Sequence, residues 1–303
     1  MKKELKNILV PVDFNESSFH ALLFASSIAK KINAKLIILY VIQIPGFLMD
    51  IFTSGEELVK LTDKTKEKLQ EFIERAKTNG VEVEITSKVE RGKPYEKILE
   101  VANEINARLI VLGENHQGDD ASKHLGSTGY HVTLKSSVPV LTYKGDYENV
   151  IEKIIVPLDL TKQTKQQLFS AMVYGLNYGS KIYLVSALIG GIKIKNSRIY
   201  KKLKQAKKTL EENGVSSEIK LFERSETQPY KKVLEYSKNI KADMILVMTH
   251  QEGYTYDNYI GAFAHHIINE SDVSVLSLTA SASRFKYDEV LTTLVDPFGI
   301  FNK

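Results

Sequence analysis

An internal repeat is the feature of this sequence that most constrains its fold. Residues 6–42 are echoed by residues 152–188, so that Pro11 aligns with Pro157 and Asp13 with Asp159. Residues 77–113 are echoed in the same way by residues 211–248. The chain has 303 residues, enough for about two domains of ordinary size. The sequence therefore predicts a tandem duplication, with about a dozen residues missing from the second copy after its second strand.

Each copy alternates short apolar runs with segments of helical periodicity. In the first copy, β-branched runs at residues 8–12, 35–42 and 108–112 separate helical patterns at 19–32, 58–77, 94–105 and 126–135. Further strands are predicted at 81–90 and 138–143. This alternation is typical of a parallel sheet covered on both faces. We expect two tandem doubly wound α/β domains of five strands each, at residues 1–147 and 148–280, followed by a tail at 281–303 without a counterpart.

Composition excludes several classes of protein. The chain has no cysteine, which rules out disulfides and thiolate metal sites. Of the 41 basic residues only six are arginine, and the net charge is +4, so nucleic acid is not an expected partner. No apolar run approaches the length of about 20 residues that a membrane span needs. The N-terminus has no signal-peptide core, so a cytoplasmic protein without a membrane partner is expected.

Candidate chemistry lies where the strands end. Open parallel sheets bind ligands beyond the carboxyl ends of their strands, where the strand order reverses. A glycine-rich segment follows the fourth strand from Gly113 and leads into a helix near Gly126, Ser127 and Thr128. Glycine and a helix N-terminus together suit a phosphate. The alternative is that Ser127 and Thr128 only cap the helix, and spacing alone does not decide between the two.

These residues resemble the universal stress protein family. The resemblance rests on the VPVD sequence that ends at Asp13 and on a late element that runs from Gly113 to Gly126 and Ser127. It covers residues 5–145 and 151–280 and implies the fold of the adenine-nucleotide α-hydrolase group, with ATP as cofactor in the first domain. Position 116 departs from the family pattern, because His116 stands where the family has its second glycine.

The resemblance also implies a set of binding residues. Asp13 and a backbone position at Val41 would lie near the base and ribose, and the glycine element would surround the phosphates. His116 would then either crowd the triphosphate or donate to it. The candidate cofactor-binding residues are Pro11, Val12, Asp13, Val41, Gly113, His116, Gly126, Ser127 and Thr128.

The second copy has lost most of this element. Gly261 matches Gly126, but Met248 stands for Gly113, Gln251 for His116 and Ala262 for Ser127. Asp159 remains, although an aspartate at a strand end can serve only as a helix cap. A nucleotide is therefore expected in the first domain alone.

The expected function is a stress-response sensor or adaptor that binds adenine nucleotide. No general base or arginine finger accompanies the motif, so we assign no catalytic residue and expect a weak ATPase at most. The alternative is a nucleotide-free interaction module whose sites have decayed. Single-domain relatives resemble obligate pairs, which implies an intramolecular pseudo-dimer through residues 138–143 and 273–278, with protein partners and a homodimer as further expectations.

Two other segments carry weaker signals. His116, Asp119, Asp120 and His124 share one loop, but their spacing matches no closed zinc pattern, and no metal site is assigned. Residues 46–58 contain an apolar cluster that the second copy lacks. This segment is either a lid on its own domain or a contact for a partner.

Overall fold

A computed structural model of the chain describes residues 5–43, 55–114, 126–145, 151–158, 164–187, 198–222, 227–249 and 261–279. Contacts divide the chain into two compact units, Met1–Asn149 and Val150–Lys303. Among the described residues, each unit contains five strands and four helices in strict alternation.

The first unit is a doubly wound parallel sheet. Its strands lie side by side in the order β3-β2-β1-β4-β5, and each neighbouring pair is parallel. The order confirms the predicted fold class and reverses between β1 and β4. The elements are β1 (Lys6–Pro11), α1 (Glu16–Ile32), β2 (Ala34–Ile42), α2 (Gly55–Thr78), β3 (Ile85–Arg91), α3 (Pro94–Glu104), β4 (Ala107–Gly113), α4 (Ser127–Lys135) and β5 (Val140–Tyr143).

The second unit repeats this topology. Its strands have the order β8-β7-β6-β9-β10 and are again parallel. The elements are β6 (Lys153–Pro157), α5 (Thr164–Tyr178), β7 (Lys181–Ala187), α6 (Arg198–Glu212), β8 (Ser217–Phe222), α7 (Pro229–Ile240), β9 (Met244–Met248), α8 (Ala262–Glu270) and β10 (Ser274–Leu278). The sequence repeat is therefore a repeat of fold.

The continuous apolar runs form the central strands because both faces of each sheet are covered. Ile8, Leu9 and Val10 of β1 have no exposed surface, and neither do Ile154, Ile155 and Val156 at the matching positions of β6. Parallel strands buried on both faces have this uniform apolar character, whereas half-exposed strands alternate. The core of each unit thus lies on either side of its sheet.

The third strand of the first unit begins later than predicted. The sequence suggests a strand from Val81, but β3 begins at Ile85. Gly80 adopts a left-handed conformation (φ +86°), and the Val81 amide donates to the Ala76 carbonyl (3.2 Å). These contacts end α2 in the manner of a Schellman motif, so Val81 belongs to the helix ending. Gly214 and Val215 end α6 in the same way.

Among the described residues, the largest difference in length between matching elements of the two units is that between helices α2 and α6. Helix α2 has 24 residues, whereas α6 has 15, and both end two residues before the left-handed glycine. The additional residues therefore lie at the N-terminus of α2. Thr65 is the first buried residue of α2. Within the described part of the chain, no helix combines the length and apolar character needed to cross a membrane.

Candidate functional site

The candidate site lies at the carboxyl ends of β1 and β4, where the strand order reverses. The two strands are parallel neighbours, so Pro11, Val12 and Asp13 emerge at the same edge as Gly113. Pro11 closes β1, and Val12 is almost fully buried beside it. Doubly wound sheets bind ligands at this point because the two connections leave in opposite directions and open a crevice.

Asp13 is exposed and held in a fixed turn. The backbone amide of Asn15 donates to Asp13 Oδ1 (3.2 Å), and Asn15 Nδ2 donates to Asp13 Oδ2 (3.0 Å). The Asp13 amide in turn donates to Ser18 Oγ (3.4 Å). Each carboxylate oxygen can accept more than one hydrogen bond, so the orientation of Asp13 is fixed while acceptor capacity remains.

Phe14 is a site residue that the sequence reasoning missed. It adopts the left-handed region (φ +65°), which is unusual for a bulky side chain. Its ring stacks on Tyr40, with centroids 4.7 Å apart, and meets Phe72 edge to face at 5.8 Å. Packing therefore holds a strained residue beside Asp13, and the only sequence signal was an aromatic residue in an otherwise polar turn.

Val41 presents its backbone toward this edge. The Val12 amide donates to the Leu39 carbonyl (2.9 Å), whereas the Ile42 carbonyl accepts from Gly92 on the other side of β2 (3.1 Å). Alternate residues of a strand direct their backbone groups to the same neighbour, so those of Val41 face β1. The ladder between β1 and β2 ends at Pro11 and Leu39. The Val41 amide and carbonyl thus extend past the last paired residue of β1.

Gly113 is required by packing. A Cβ atom at this position would lie 2.4 Å from the Ser17 carbonyl oxygen and 2.7 Å from the Ser18 amide nitrogen. The carboxyl end of β4 consequently touches the backbone of the first turn of α1, which follows Asp13. Gly113 therefore shapes the site whether or not a ligand approaches it.

Gly126 has no such contact with the described residues. It is the N-cap of α4, no side chain of the described residues caps the helix there, and a Cβ would meet no atom of those residues within 4 Å. Ser127 and Thr128 are the first helical residues, so they do not occupy the capping position. The first-turn amides and the positive end of the helix dipole suit an anion. Asp13 is exposed, and the backbone of Val41 lies at the same edge of the sheet as Asp13.

A buried ion pair adjoins the site and was also missed. Lys144 Nζ lies 2.9 Å from Glu114 Oε2, and their side chains are 3% and 2% exposed. Glu114 follows Gly113, and its amide donates to the Tyr143 carbonyl (3.1 Å). In the sequence these residues look like ordinary loop charges, because their partnership depends on the pairing of β4 with β5.

Several predicted residues lie outside the described part of the chain. They include His116, the loop that contains Asp119, Asp120 and His124, the apolar segment before α2, and Asp159 of the second copy. Among the described residues, no group of three histidine or carboxylate side chains is placed to hold a metal ion.

The carboxyl edge of the sheet in the second unit differs from that in the first. Its helix α8 starts from Gly261 with nearly the same backbone angles (φ −53°, ψ 141°) as Gly126 (φ −55°, ψ 157°). Met248, however, ends β9 where Gly113 ends β4. Buried Thr249 and Thr279 take the positions of the ion pair, and Thr249 donates to the Leu278 carbonyl through its amide (2.8 Å) and its hydroxyl (3.1 Å).

Comparison with known proteins assigns the family. A universal stress protein of Methanocaldococcus jannaschii is 30% identical over 141 residues, which cover 46% of this chain and 82% of the relative. The chain belongs to the universal stress protein family. The sequence model of the Universal stress protein family matches residues 4–144, and the stress response protein NhaX of Bacillus subtilis is 28% identical over 45% of this chain and 96% of its own length.

A solved universal stress protein shows the same fold over most of the chain. The crystal structure of a family member from Archaeoglobus fulgidus matches with a TM-score of 0.73 at 20% identity and covers 90% of this chain and 98% of its own. At this level of identity the match concerns the fold. It agrees with the five-stranded parallel sheet of each unit.

Proposed function

We propose that the first domain binds adenine nucleotide, with ATP as the leading candidate, and that the protein acts as a stress-response sensor or adaptor. The phosphates would meet the first-turn amides of α4 at Ser127 and Thr128. The ribose and base would lie near Asp13 and the backbone of Val41. The observation that carries this proposal is the start of α4 at Gly126, where no side chain of the described residues caps the first-turn amides.

The proposed role is binding with a weak ATPase activity at most. Rapid phosphoryl transfer needs a positioned base or water and a cation that stabilises the transition state. The sequence motif supplies neither, and the described site adds only the carboxylate of Asp13, which is engaged with Asn15. The cytoplasmic location and the pairing of the two domains stay predictions.

A nucleotide-free interaction module is the second candidate. Both Asp13 oxygens already accept hydrogen bonds from Asn15, which favours a turn that is complete without a ligand. His116 also replaces a family glycine. In this case the fold would remain while the nucleotide site has decayed.

Equilibrium titration of the full chain with ATP tests both candidates. We expect saturable binding that Gly126→Val abolishes, because a β-branched side chain would fill the space through which a phosphate reaches the amides. The His116→Gly variant separates the candidates further. Under the second candidate, the wild-type protein binds no ATP up to millimolar concentration and His116→Gly creates affinity; that result would overturn the first.

A further inference from the structure

Helix α6 of the second domain lies in a long segment whose charged residues are almost all basic. No acidic residue occurs between Lys181 and Glu211. Helix α6 itself contains two acidic residues and six basic ones, whereas α2 contains six of each. The basic residues of α6 are Arg198, Lys201, Lys202, Lys204, Lys207 and Lys208.

Three of the five lysines of α6 lie on one exposed face of the helix. Leu203, Ala206 and Leu210 form the buried stripe and are at most 2% exposed. Lys201, Lys204 and Lys208 belong to the opposite, exposed stripe. At 1.5 Å per residue, these three ammonium groups are distributed over about 10 Å of helix.

Neighbouring carboxylates neutralise this face only at its end. Lys207 and Lys208 lie 3.4 and 3.6 Å from Glu211 and Glu212. Among the described residues, Lys201 and Lys204 have no carboxylate within ion-pair distance, and Lys204 Nζ lies 4.6 Å from the centroid of the Tyr200 ring.

This arrangement is unfavourable for the helix alone. Lysines three and four residues apart repel one another, and cations near a helix N-terminus oppose the helix dipole. Helix α2 shows the favourable arrangement, with Glu56 and Glu57 in its first turn and a Lys66–Asp63 pair at 3.2 Å. An anionic partner would relieve the repulsion on α6, and sequence rules are commonly broken at functional sites.

The distribution of charge along the face indicates which anion fits. The lysines are followed on the same helix by Glu211 and Glu212 at its C-terminal end. A membrane surface or a nucleic-acid backbone carries phosphates in close succession and would bring some of them against these two glutamates. Phosphate recognition also favours arginine forks, whereas this face offers lysine. A polypeptide can place carboxylates beside the lysines and leave the glutamates uncontacted.

We propose that the exposed face of α6 docks an acidic segment of a partner polypeptide. The carboxylates of that segment would lie against Lys201, Lys204 and Lys208. Because this surface belongs to the second domain, it gives that domain a role that needs no nucleotide site.

Binding of a fluorescent oligoglutamate peptide to the full chain, followed by anisotropy at low salt, tests the docking surface. We expect saturable binding that weakens as salt rises. The charge reversal Lys201→Glu/Lys204→Glu should lower the affinity at least about tenfold. The matched control Lys60→Glu/Lys64→Glu makes the same change on exposed positions of α2 and should leave the affinity within about twofold.

The milder variant Lys201→Gln/Lys204→Gln should also weaken binding, and it keeps the test valid if the reversal disturbs folding. Equal losses in the α6 and α2 variants would show a nonspecific charge effect and overturn the proposal. Tighter binding to phosphatidylglycerol vesicles or to single-stranded DNA than to the peptide would also overturn it. The measurement needs no nucleotide, so it stands if ATP binding fails.

Discussion

The carboxyl edges of the two domains differ although the sheets behind them match. In the first domain, Gly113 lets β4 touch the start of α1, and Glu114 continues into a buried ion pair with Lys144. In the second domain, Met248 stands in place of the glycine and a threonine pair replaces the ions. Both domains keep a glycine N-cap on the last helix. The duplication thus preserved the order and direction of the strands, whereas the residues at the strand ends differ.

This comparison separates two roles within one glycine motif. Gly113 has backbone atoms within 3 Å of a Cβ position, so packing alone requires it. No atom of the described residues lies within 4 Å of a Cβ position at Gly126, so packing among those residues does not require glycine there. The aromatic cluster of Phe14, Tyr40 and Phe72 is likewise confined to the first domain, since the sequence has Leu160, Ser186 and Ala206 at the matching positions.

The buried ion pair should give the largest effect of a single substitution. Glu114→Gln removes the carboxylate charge that lies 2.9 Å from the buried Lys144 ammonium, and removal of one partner of a buried ion pair typically costs about 3–5 kcal/mol. Urea unfolding of the full chain, followed by circular dichroism, should show a transition at a lower urea concentration than in the wild-type protein. The double variant Glu114→Thr/Lys144→Thr has the threonine pair of the second domain and should lose much less stability than Glu114→Gln. Equal losses in both variants would show that the charge is not the cause.

Substitution of Gly113 should have the next largest effect. In Gly113→Ala the new methyl group would overlap the Ser17 carbonyl. Such overpacking typically lowers the free energy of unfolding by about 1–3 kcal/mol. Gly126→Ala is the matched control, because its methyl group would meet no atom of the described residues within 4 Å, and it should cost less than about 1 kcal/mol. An unchanged unfolding midpoint for Gly113→Ala would refute the packing role.

Two substitutions at Phe14 should reveal the backbone strain. Phe14→Ala and Phe14→Gly both remove the ring from Tyr40 and Phe72, but only glycine adopts the left-handed region without penalty. The glycine variant should therefore be more stable than the alanine variant by about 1 kcal/mol, as read from urea unfolding. Equal stabilities would mean that position 14 carries no strain.

The smallest effect is expected from the pair between Glu16 and Arg75. The Arg75 guanidinium donates to both Glu16 oxygens (2.8 and 2.6 Å) and lowers the pKa of that carboxyl below its usual value. The side chains are 64% and 44% exposed, so Glu16→Gln should cost less than about 0.5 kcal/mol near neutral pH.

This contribution depends on pH in a defined direction. Because the folded-state pKa of Glu16 is lowered, the pair stabilises above the usual glutamate pKa, and the stabilisation disappears as the pH falls through the lowered value. Wild-type protein and Glu16→Gln should therefore differ near neutral pH and converge in acid. The second domain has Lys162 and Thr209 at these positions and lacks the pair in its sequence. A difference that persists in acid would contradict the assignment.

The sequence predicts the architecture well because the fold depends on patterns that repeat. Apolar runs such as Ile8 to Val10 and glycine signals such as Gly80 and Gly214 appear twice, so each copy supports the interpretation of the other. Predicted boundaries fail where helix-ending contacts extend past the helix, as at Val81.

The site is less predictable because its geometry depends on contacts between distant segments. Gly113 looks like a ligand glycine in the sequence, and its contact with Ser17 becomes visible only when β4 lies beside β1. The ion pair of Glu114 with Lys144 requires the alignment of β4 with β5. Asp13 and Val41 could be named from the family resemblance, but their shared edge follows from the strand order.

The number of nucleotides bound per chain tests the central claim most directly. Calorimetric titration of the full chain with ATP should give one site. Gly126→Val should remove that site. The matched variant Gly261→Val in the second domain should leave the affinity and the stoichiometry of ATP binding unchanged. Two sites per chain, or loss of binding in Gly261→Val with retention in Gly126→Val, would contradict the assignment of the nucleotide site to the first domain.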